Sequence, residues 1–561
     1  MQLSLSLPVV VSKEAYNYGV RASGETHGVV LTKPHVVELI LDLCGYSENS
    51  DIFDLRLLEP SCGHGAFLIP AVRRLIGAAR RADVSFAELT QCITAFDIDE
   101  THVDLTRQAL GRELQRLGVS ADVAETLVNA WVRCEDFLLA AISSDFDVIV
   151  GNPPYIRIEQ LSPVLHAEYR RRFTTLYDRA DLYVAFIECG LSLLSERGIL
   201  SFICANRWIL NKYGAPLRSM VAKNFGVQAY VDLQNTSPFE SDVIAYPSIF
   251  VFSRKKPAVV PVVTMNTASE TECRSVSIAI ADDSIKTPDV NITRYSDWFS
   301  GDAPWVLSAP EHLSILRLLE ARFREIEATA RVGIGVATGC DQIYVVNQDT
   351  DIEPDRLVPL VMREDIRAGK IENAGRFVIN TFVVDGGVVD LGSFPRLQKY
   401  LMDRGAEVKK RHVARKNPRA WFRTIDRVYP DMVSRPKLLI PDIAGSNEVA
   451  FDEGLYHPHH NLYFVVSDIW DLEILGGLLS SRVALFFVWS YAVKMRGGYL
   501  RFQAQYLRRI RLPEPTDIGK SLGNEIKQAF RKRDFQRLDD LALKAYHLSE
   551  MPFFDFVDTR K

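Results

Sequence analysis

The chain has 561 residues, 47% hydrophobic and 24% charged, with a formal net charge of −5. This is the composition of an ordinary soluble globular protein of about three or four domains, and the charge alone does not mark a nucleic-acid binder. Eight scattered cysteines form no C-x-x-C pair, so neither a zinc knuckle nor a disulfide framework is expected, and a reduced, prokaryotic cytoplasm is the expected setting. Met1 to Ser12 alternates apolar and polar residues without a basic start, which does not read as a signal peptide. The longest apolar runs, such as Val483 to Val493, are too short for a membrane span.

In chain order, Thr26 to Leu43 predicts a loop and an amphipathic helix, with Thr32 at the N-cap and Pro34 in the first turn. Leu57 to Leu68 (LLEPSCGHGAFL) predicts a strand end, a glycine loop and a helix. The loop lacks both G-x-G-x-x-G and the phosphate-binding G-x-x-x-x-G-K-[ST], and Gly519-Lys520-Ser521 lacks the first glycine of the latter. Glu59 beside it suits a cationic, zwitterionic ligand instead, such as a sulfonium cofactor with an amino-acid tail. A second strand, Cys92 to Phe96, ends at Asp97, placed to accept both hydroxyls of a ribose. Asp136 and Phe137 supply an acid and a ring for an adenine edge and face.

Asp147 to Val150 predicts a buried parallel strand that runs into Asn152-Pro153-Pro154-Tyr155. Two prolines end the strand and remove two backbone donors. The Asn152 oxygen and the Pro153 carbonyl can then accept both hydrogens of a planar NH2 group while Tyr155 stacks on its ring. Asp181 to Ser195 predicts an apolar helix, Gly198 to Asn206 a strand, and Val243 to Phe252 a late strand pair. Phe239 sits in the polar loop before that pair; it looks exposed near the active edge, though core filling is the usual role of an isolated Phe. Four acid- or amide-marked strand ends, at Glu59, Asp97, Asp136 and Asn152, describe one crevice along the carboxyl edge of a parallel sheet.

The order of these motifs resembles the gamma class of DNA adenine-N6 methyltransferases, the Taq-type enzymes of restriction–modification systems. The resemblance is good over 20–255 and looser beyond. It implies an α/β fold with a Rossmann-like doubly wound methyltransferase sheet and a C-terminal mixed α+β target-recognition domain. It also implies S-adenosylmethionine as cofactor, held by Thr32, Glu59, Ser61, Gly63, Asp97, Ile98, Asp136, Phe137 and Pro154. Asn152, Pro153 and Tyr155 would hold the target amino group, and Phe239 would form the second face of a base sandwich. Asp97 stands where the family often has Glu, which shortens the reach to ribose but keeps the charge. Double-stranded DNA is the implied partner, bound by a monomer. Only about 25 residues precede the first motif, so a fused restriction nuclease is not expected, and any cognate restriction endonuclease would be a separate chain.

The expected domains are 1–255 (catalytic), 256–309 (connecting), 310–513 (target recognition) and 514–561 (helical). Within the third, a helix is expected over 310–328 and a tight hairpin over Val332 to Val346. Residues 404–423 carry eight Lys or Arg against Glu407 alone, and 494–511 carry six without an acid. Interleaved with Trp421, Phe422, Tyr499, Phe502 and Tyr506, these runs point to a phosphate-tracking groove, with Lys409, Lys410, Arg411, Arg415, Arg496 and Arg501 as the expected DNA contacts. Tyr456-His457-Pro458-His459-His460 reads as a loop rather than a metal centre, because no acid or cysteine stands at ligand spacing. Asn-Pro-Pro-Tyr suits any planar amine, so an RNA base or a protein glutamine is an alternative substrate; the basic runs favour DNA. A non-catalytic DNA-binding subunit is the other alternative, and an intact cofactor crevice argues against it.

Overall fold

β-Branched and apolar runs too short for helices become strands, and nine of them pair into one sheet in the first of two units, Met1–Val306. The computed structural model describes residues 30–554 except 144, 242–245, 283–286, 288–289, 373–374, 445–447, 493–499 and 552–553, and only the backbone of 443, 444 and 501. Met1 to Ser12, the start of the expected 243–252 strand pair and Arg496 therefore lie outside the described residues.

The strands are β1 (Leu57–Glu59), β2 (Ile93–Asp97), β3 (Val132–Cys134), β4 (Phe146–Gly151), β5 (Leu194–Ala205), β6 (Gly226–Asp232), β7 (Pro247–Ser253), β8 (Val260–Thr264) and β9 (Asn291–Tyr295). Their order is β3-β2-β1-β4-β5-β7-β6-β8-β9. Strands β3 through β5 in that order are parallel, while β7 runs antiparallel between β5 and β6. The direction of winding reverses between β1 and β4, and in open α/β sheets this switch point opens a crevice beyond the strands' carboxyl ends.

The connecting helices are α1 (Pro34–Leu43), α2 (Leu68–Arg81), α3 (Glu100–Arg116), α4 (Ala121–Trp131), α5 (Pro163–Arg172), α6 (Tyr183–Leu193), α7 (Ala215–Asn224) and α8 (Glu270–Ala281). Strand alternation sorts the core into two layers. Val148, Val150, Ile203, Val231, Ile249 and Val251 pack with residues of α1, α2, α3, α4 and α8. Of the intervening positions, Tyr230, Phe250 and Phe252 meet an aromatic cluster of Trp208, Trp298 and Trp305. Both faces of β6 and β7 are thus filled.

Three expectations change. Residues 256–309, read as a connection, supply β8 and β9 to the sheet edge and α8, which packs on α1. The N-cap of α1 is Lys33 rather than Thr32, because Thr32 is drawn into a bridge with Phe239. No hairpin forms over 332–346. Arg331–Ile334 pairs instead with Leu462–Val466, and Val345–Asn347 with Arg376–Ile379.

The second unit, Leu307–Lys561, has two four-stranded sheets. One orders Arg331–Ile334, Leu462–Val466, Lys437–Pro441 and Ala450–Asp452; the other orders Val345–Asn347, Arg376–Ile379, Leu357–Val361 and His457–Pro458. Helices Lys520–Lys532 and Phe535–Ala545 pack together, and the former packs on Leu472–Leu479. No single helix among the described residues is long and apolar enough to cross a membrane.

Candidate functional site

A crevice opens at the switch point. It is lined by every residue expected to bind cofactor: Thr32, Glu59, Ser61, Gly63, Asp97, Ile98, Asp136, Phe137 and Pro154. Asn152, Pro153 and Tyr155 line the same space. Parallel pairing of Leu57 with Val148 and of Leu58 with Ile149 brings the β1 and β4 loops side by side, and the Ser61 hydroxyl donates to the Asn152 carbonyl at 3.1 Å.

The glycine loop is shaped by its backbone. Gly63 and Gly65 have φ of +50° and +82°, which L side chains disfavour. The Gly63 N–H donates to Asp97 Oδ2 at 2.9 Å, and the Thr106 hydroxyl of α3 donates to the Gly63 carbonyl at 2.7 Å. Asp97 Oδ1 accepts the Asp99 N–H at 2.9 Å, and His102 Nδ1 lies 3.4 Å from it. That carboxylate raises the His102 pKa above its ordinary value. Asp136 accepts the Leu138 N–H and the Tyr169 hydroxyl, the latter at 2.7 Å. Phe137 is buried against Phe186, with ring centroids 5.3 Å apart.

Asn152 is held in one orientation. Its side-chain NH2 donates to the Val30 carbonyl at 2.8 Å and to the Thr32 hydroxyl at 3.3 Å. Oδ1 is thereby left buried with no partner, as are the Tyr155 hydroxyl and Glu59 Oε2. Glu59 is only 1% exposed, and burial together with the charge of Asp97 pushes its pKa well above the usual carboxylate range. Unsatisfied buried polar atoms each cost about 1–3 kcal/mol, so three around one cleft mark a place where a ligand supplies the missing partners. A ligand with a cationic end and hydrogen-bond donors fits Glu59, and a planar amine fits Asn152.

Phe239 takes the core-filling place rather than the exposed one. It is 4% exposed, belongs to the core and does not line the cleft. Backbone bonds from Lys33 to Pro238 and from Glu240 to Leu31 fix it beside Thr32. Its ring meets Tyr155 edge-on, at 6.1 Å and 80°, so the two rings do not flank a parallel slot. Phe239 instead buttresses Tyr155 and the segment that orients Asn152.

His102 and Tyr169 line the cleft without having been singled out in the sequence. An Asp-capped helix start three residues before His102 carried a usable signal. Tyr169 reaches Asp136 across 33 residues and carried none.

In the second unit, the basic run divides by partner. Lys409, Lys410 and Arg415 are exposed. Arg411 is instead committed to the fold. It donates to the carbonyls of Val408, Thr338, Trp421 and Arg423 and to the Tyr344 hydroxyl, all at 2.9–3.0 Å, and lies over the Tyr344 ring. In the other run, Arg508 pairs with Glu327, and Arg509 and Arg511 with Glu325, acids more than 170 residues upstream. The side chain of Arg501, like all of Arg496, lies outside the described residues.

Comparison with known proteins agrees with this geometry. Residues 91–239 match the Eco57I restriction-modification methylase family, and 397–512 match the TaqI-like C-terminal specificity domain. The Type II methyltransferase M.PaeR7I of Pseudomonas aeruginosa is 42% identical, over 97% of this chain and 95% of that protein. M.XhoI of Xanthomonas vasicola is also 42% identical, over 94% of this chain and 98% of its own length. Among solved structures, the Type IIL restriction-modification enzyme MmeI in complex with DNA shares the fold, with a TM-score of 0.61 at 13% identity, covering 93% of this chain and 74% of that one. A Rossmann-like crevice ending in Asn-Pro-Pro-Tyr, a match to a specificity domain later in the chain and identity of this degree over nearly the whole length lead to one conclusion: the chain belongs to the Type II DNA methyltransferases of restriction–modification systems.

Proposed function

We propose that the chain methylates the 6-amino group of adenine at a specific site in double-stranded DNA, with S-adenosylmethionine as donor. The observation that carries this reading is the buried, unpartnered Oδ1 of Asn152, held toward an amine by Val30 and Thr32. Within a duplex the adenine amine is paired, so the base is flipped into the cleft, at a cost of a few kcal/mol. Asn152 Oδ1 and the Pro153 carbonyl accept the two amine hydrogens, which leaves electron density on nitrogen. Tyr155, buttressed by Phe239, packs on the ring. Glu59, Asp97, Asp136 and Phe137 would hold the cofactor, which supplies a sulfonium-activated methyl group. No strong general base is required, because the methylated nitrogen gives its extra proton to solvent. Positioning and electrostatics therefore supply the rate. The enzyme is read as a monomer on DNA.

Asn152→Ala is expected to lower methyl transfer by about 10²–10³, the usual loss for a single oriented polar contact to the reacting group. Cofactor and DNA binding should persist. Tritiated-methyl incorporation is the measurement, and activity within about tenfold of wild type, roughly 1.4 kcal/mol of barrier, would remove the chemistry from this loop.

Glu59 yields a pH prediction. Its raised pKa means that the free protein binds a proton there at pH values where an exposed glutamate has lost it. A cationic ligand end requires the ionised form, so cofactor affinity should rise with pH through the folded-state pKa. In the ligand-free protein the sign for stability is opposite. The folded state binds this proton more tightly than the unfolded one, so the contribution falls as pH rises above the unfolded value. Glu59→Gln should abolish the pH dependence of binding, weaken binding at neutral pH and raise the ligand-free melting temperature. Calorimetry and thermal melts across pH test all three; unchanged affinity in Glu59→Gln would place the cationic end elsewhere.

The exposed cations of the 404–423 run are proposed to track phosphates. Neutralising Lys409, Lys410 and Arg415 together should weaken binding to all DNA sequences and flatten log K against log salt by about 0.9 per lost contact. Arg411→Ala should instead lower thermal stability, since it removes the centre of that segment's carbonyl network. An unchanged salt slope in the triple variant would make this run a solvated face.

A further inference from the structure

Two adjacent histidines in the second unit converge with an acid from a distant part of the chain. His459 Nε2 lies 3.1 Å from Asp341 Oδ2, an acid 118 residues upstream, and 2.9 Å from His460 Nδ1. All three atoms fall within 4.8 Å of one another. The acid absent at ligand spacing in the sequence is thus supplied by the fold.

The backbone builds this cluster. Val336 bridges to His459, the Val336 N–H donates to the Pro458 carbonyl, and the His460 N–H donates to the Val336 carbonyl. Gly335 makes the approach possible, since a Cβ there would sit 2.2 Å from the His459 carbonyl oxygen. Asp341, at the start of the helix Asp341–Tyr344, is oriented by the Thr338 hydroxyl on its other oxygen. His459 is only 1% exposed, whereas Asp341 is half-buried and His460 faces solvent.

As a hydrogen-bonded set the cluster is poorly matched. His459 Nε2 faces a carboxylate oxygen and a second ring nitrogen at once, and a neutral imidazole nitrogen carries at most one proton. A single cation accepts lone pairs from all three atoms. Two imidazoles and a carboxylate suit Zn²⁺, whose bonds of about 2.0–2.2 Å put tetrahedral ligand atoms about 3.3 Å apart. Asp426 and Asp442 act electrostatically on His460 and add negative potential.

We infer that Asp341, His459 and His460 bind one Zn²⁺ in the specificity unit, with water in the fourth position. The metal joins the loop after Arg331–Ile334 to the segment before Leu462–Val466. The same loop carries Thr338 and leads to Tyr344, both partners of Arg411, so the site braces the platform of the basic run.

The test uses the full-length protein, made metal-free with a chelator and titrated with Zn²⁺ against a chromophoric competitor. One equivalent should bind, and Co²⁺ should give the intense visible bands of a four-coordinate site. His460→Ala leaves the His459–Asp341 hydrogen bond intact and should lower Zn²⁺ affinity at least about tenfold and remove the cobalt bands. Asp341→Asn, with a hydrogen-bonding side chain of the same shape, should do likewise and serves if the first variant fails to fold. No stoichiometric uptake by the wild-type protein, or uptake unchanged in a folded variant, would overturn the inference.

Discussion

The parallel pairing of β1 with β4 is the constraint from which the site follows. Leu57 opposite Val148 and Leu58 opposite Ile149 set two loops against each other at the point where the sheet's winding reverses. Parallel strands present their carboxyl ends on one edge, so Glu59, Asp97, Asp136 and Asn152 meet there without any long-range coincidence of side chains. A one-residue slip of β4 would turn Val148 and Val150 to the opposite face. It would also rotate Asn152 away from Val30 and Thr32, which give its amide a single orientation.

Three buried polar atoms around the cleft remain unpaired: Glu59 Oε2, Asn152 Oδ1 and the Tyr155 hydroxyl. Their cost falls on the free protein and is recovered when a ligand supplies donors. Nearby groups show the contrast. Asp97 and Asp136 spend their oxygens on Gly63, Asp99, Leu138 and Tyr169, which makes them organisers of the loops as well as acceptors. Rigid loops carrying a few unsatisfied atoms are what an oriented transfer reaction needs, since little reorganisation is left for the moment of reaction.

The crevice was legible in the sequence because its signals are local. Each strand end is marked within a few residues by an acid, a glycine loop or the two prolines after Asn152, and parallel strands do the rest. What was not legible depends on partners far along the chain. Phe239 stands in a polar loop, yet its bridge to Thr32, about 200 residues upstream, buries it edge-on to Tyr155. Arg411 is one of eight cations in its run, but carbonyls of Thr338 and Trp421 and the Tyr344 hydroxyl claim it. The glycines of 332–346 resemble turn residues, whereas Gly335 serves close approach to His459 and Gly333 lies against the Phe464 ring. Residues 256–309 lack strong periodicity, and their strands are specified by an open sheet edge at β6.

The central claim is that this cleft presents an acceptor to the exocyclic amine of adenine within DNA. Its most direct test is the identity and position of the modified base in genomic DNA from cells expressing the protein, against cells that lack it. The account predicts N6-methyladenine at one short recognition sequence, present at nearly every occurrence. DNA with no added methyl groups, or with methyl groups on cytosine alone, would contradict it.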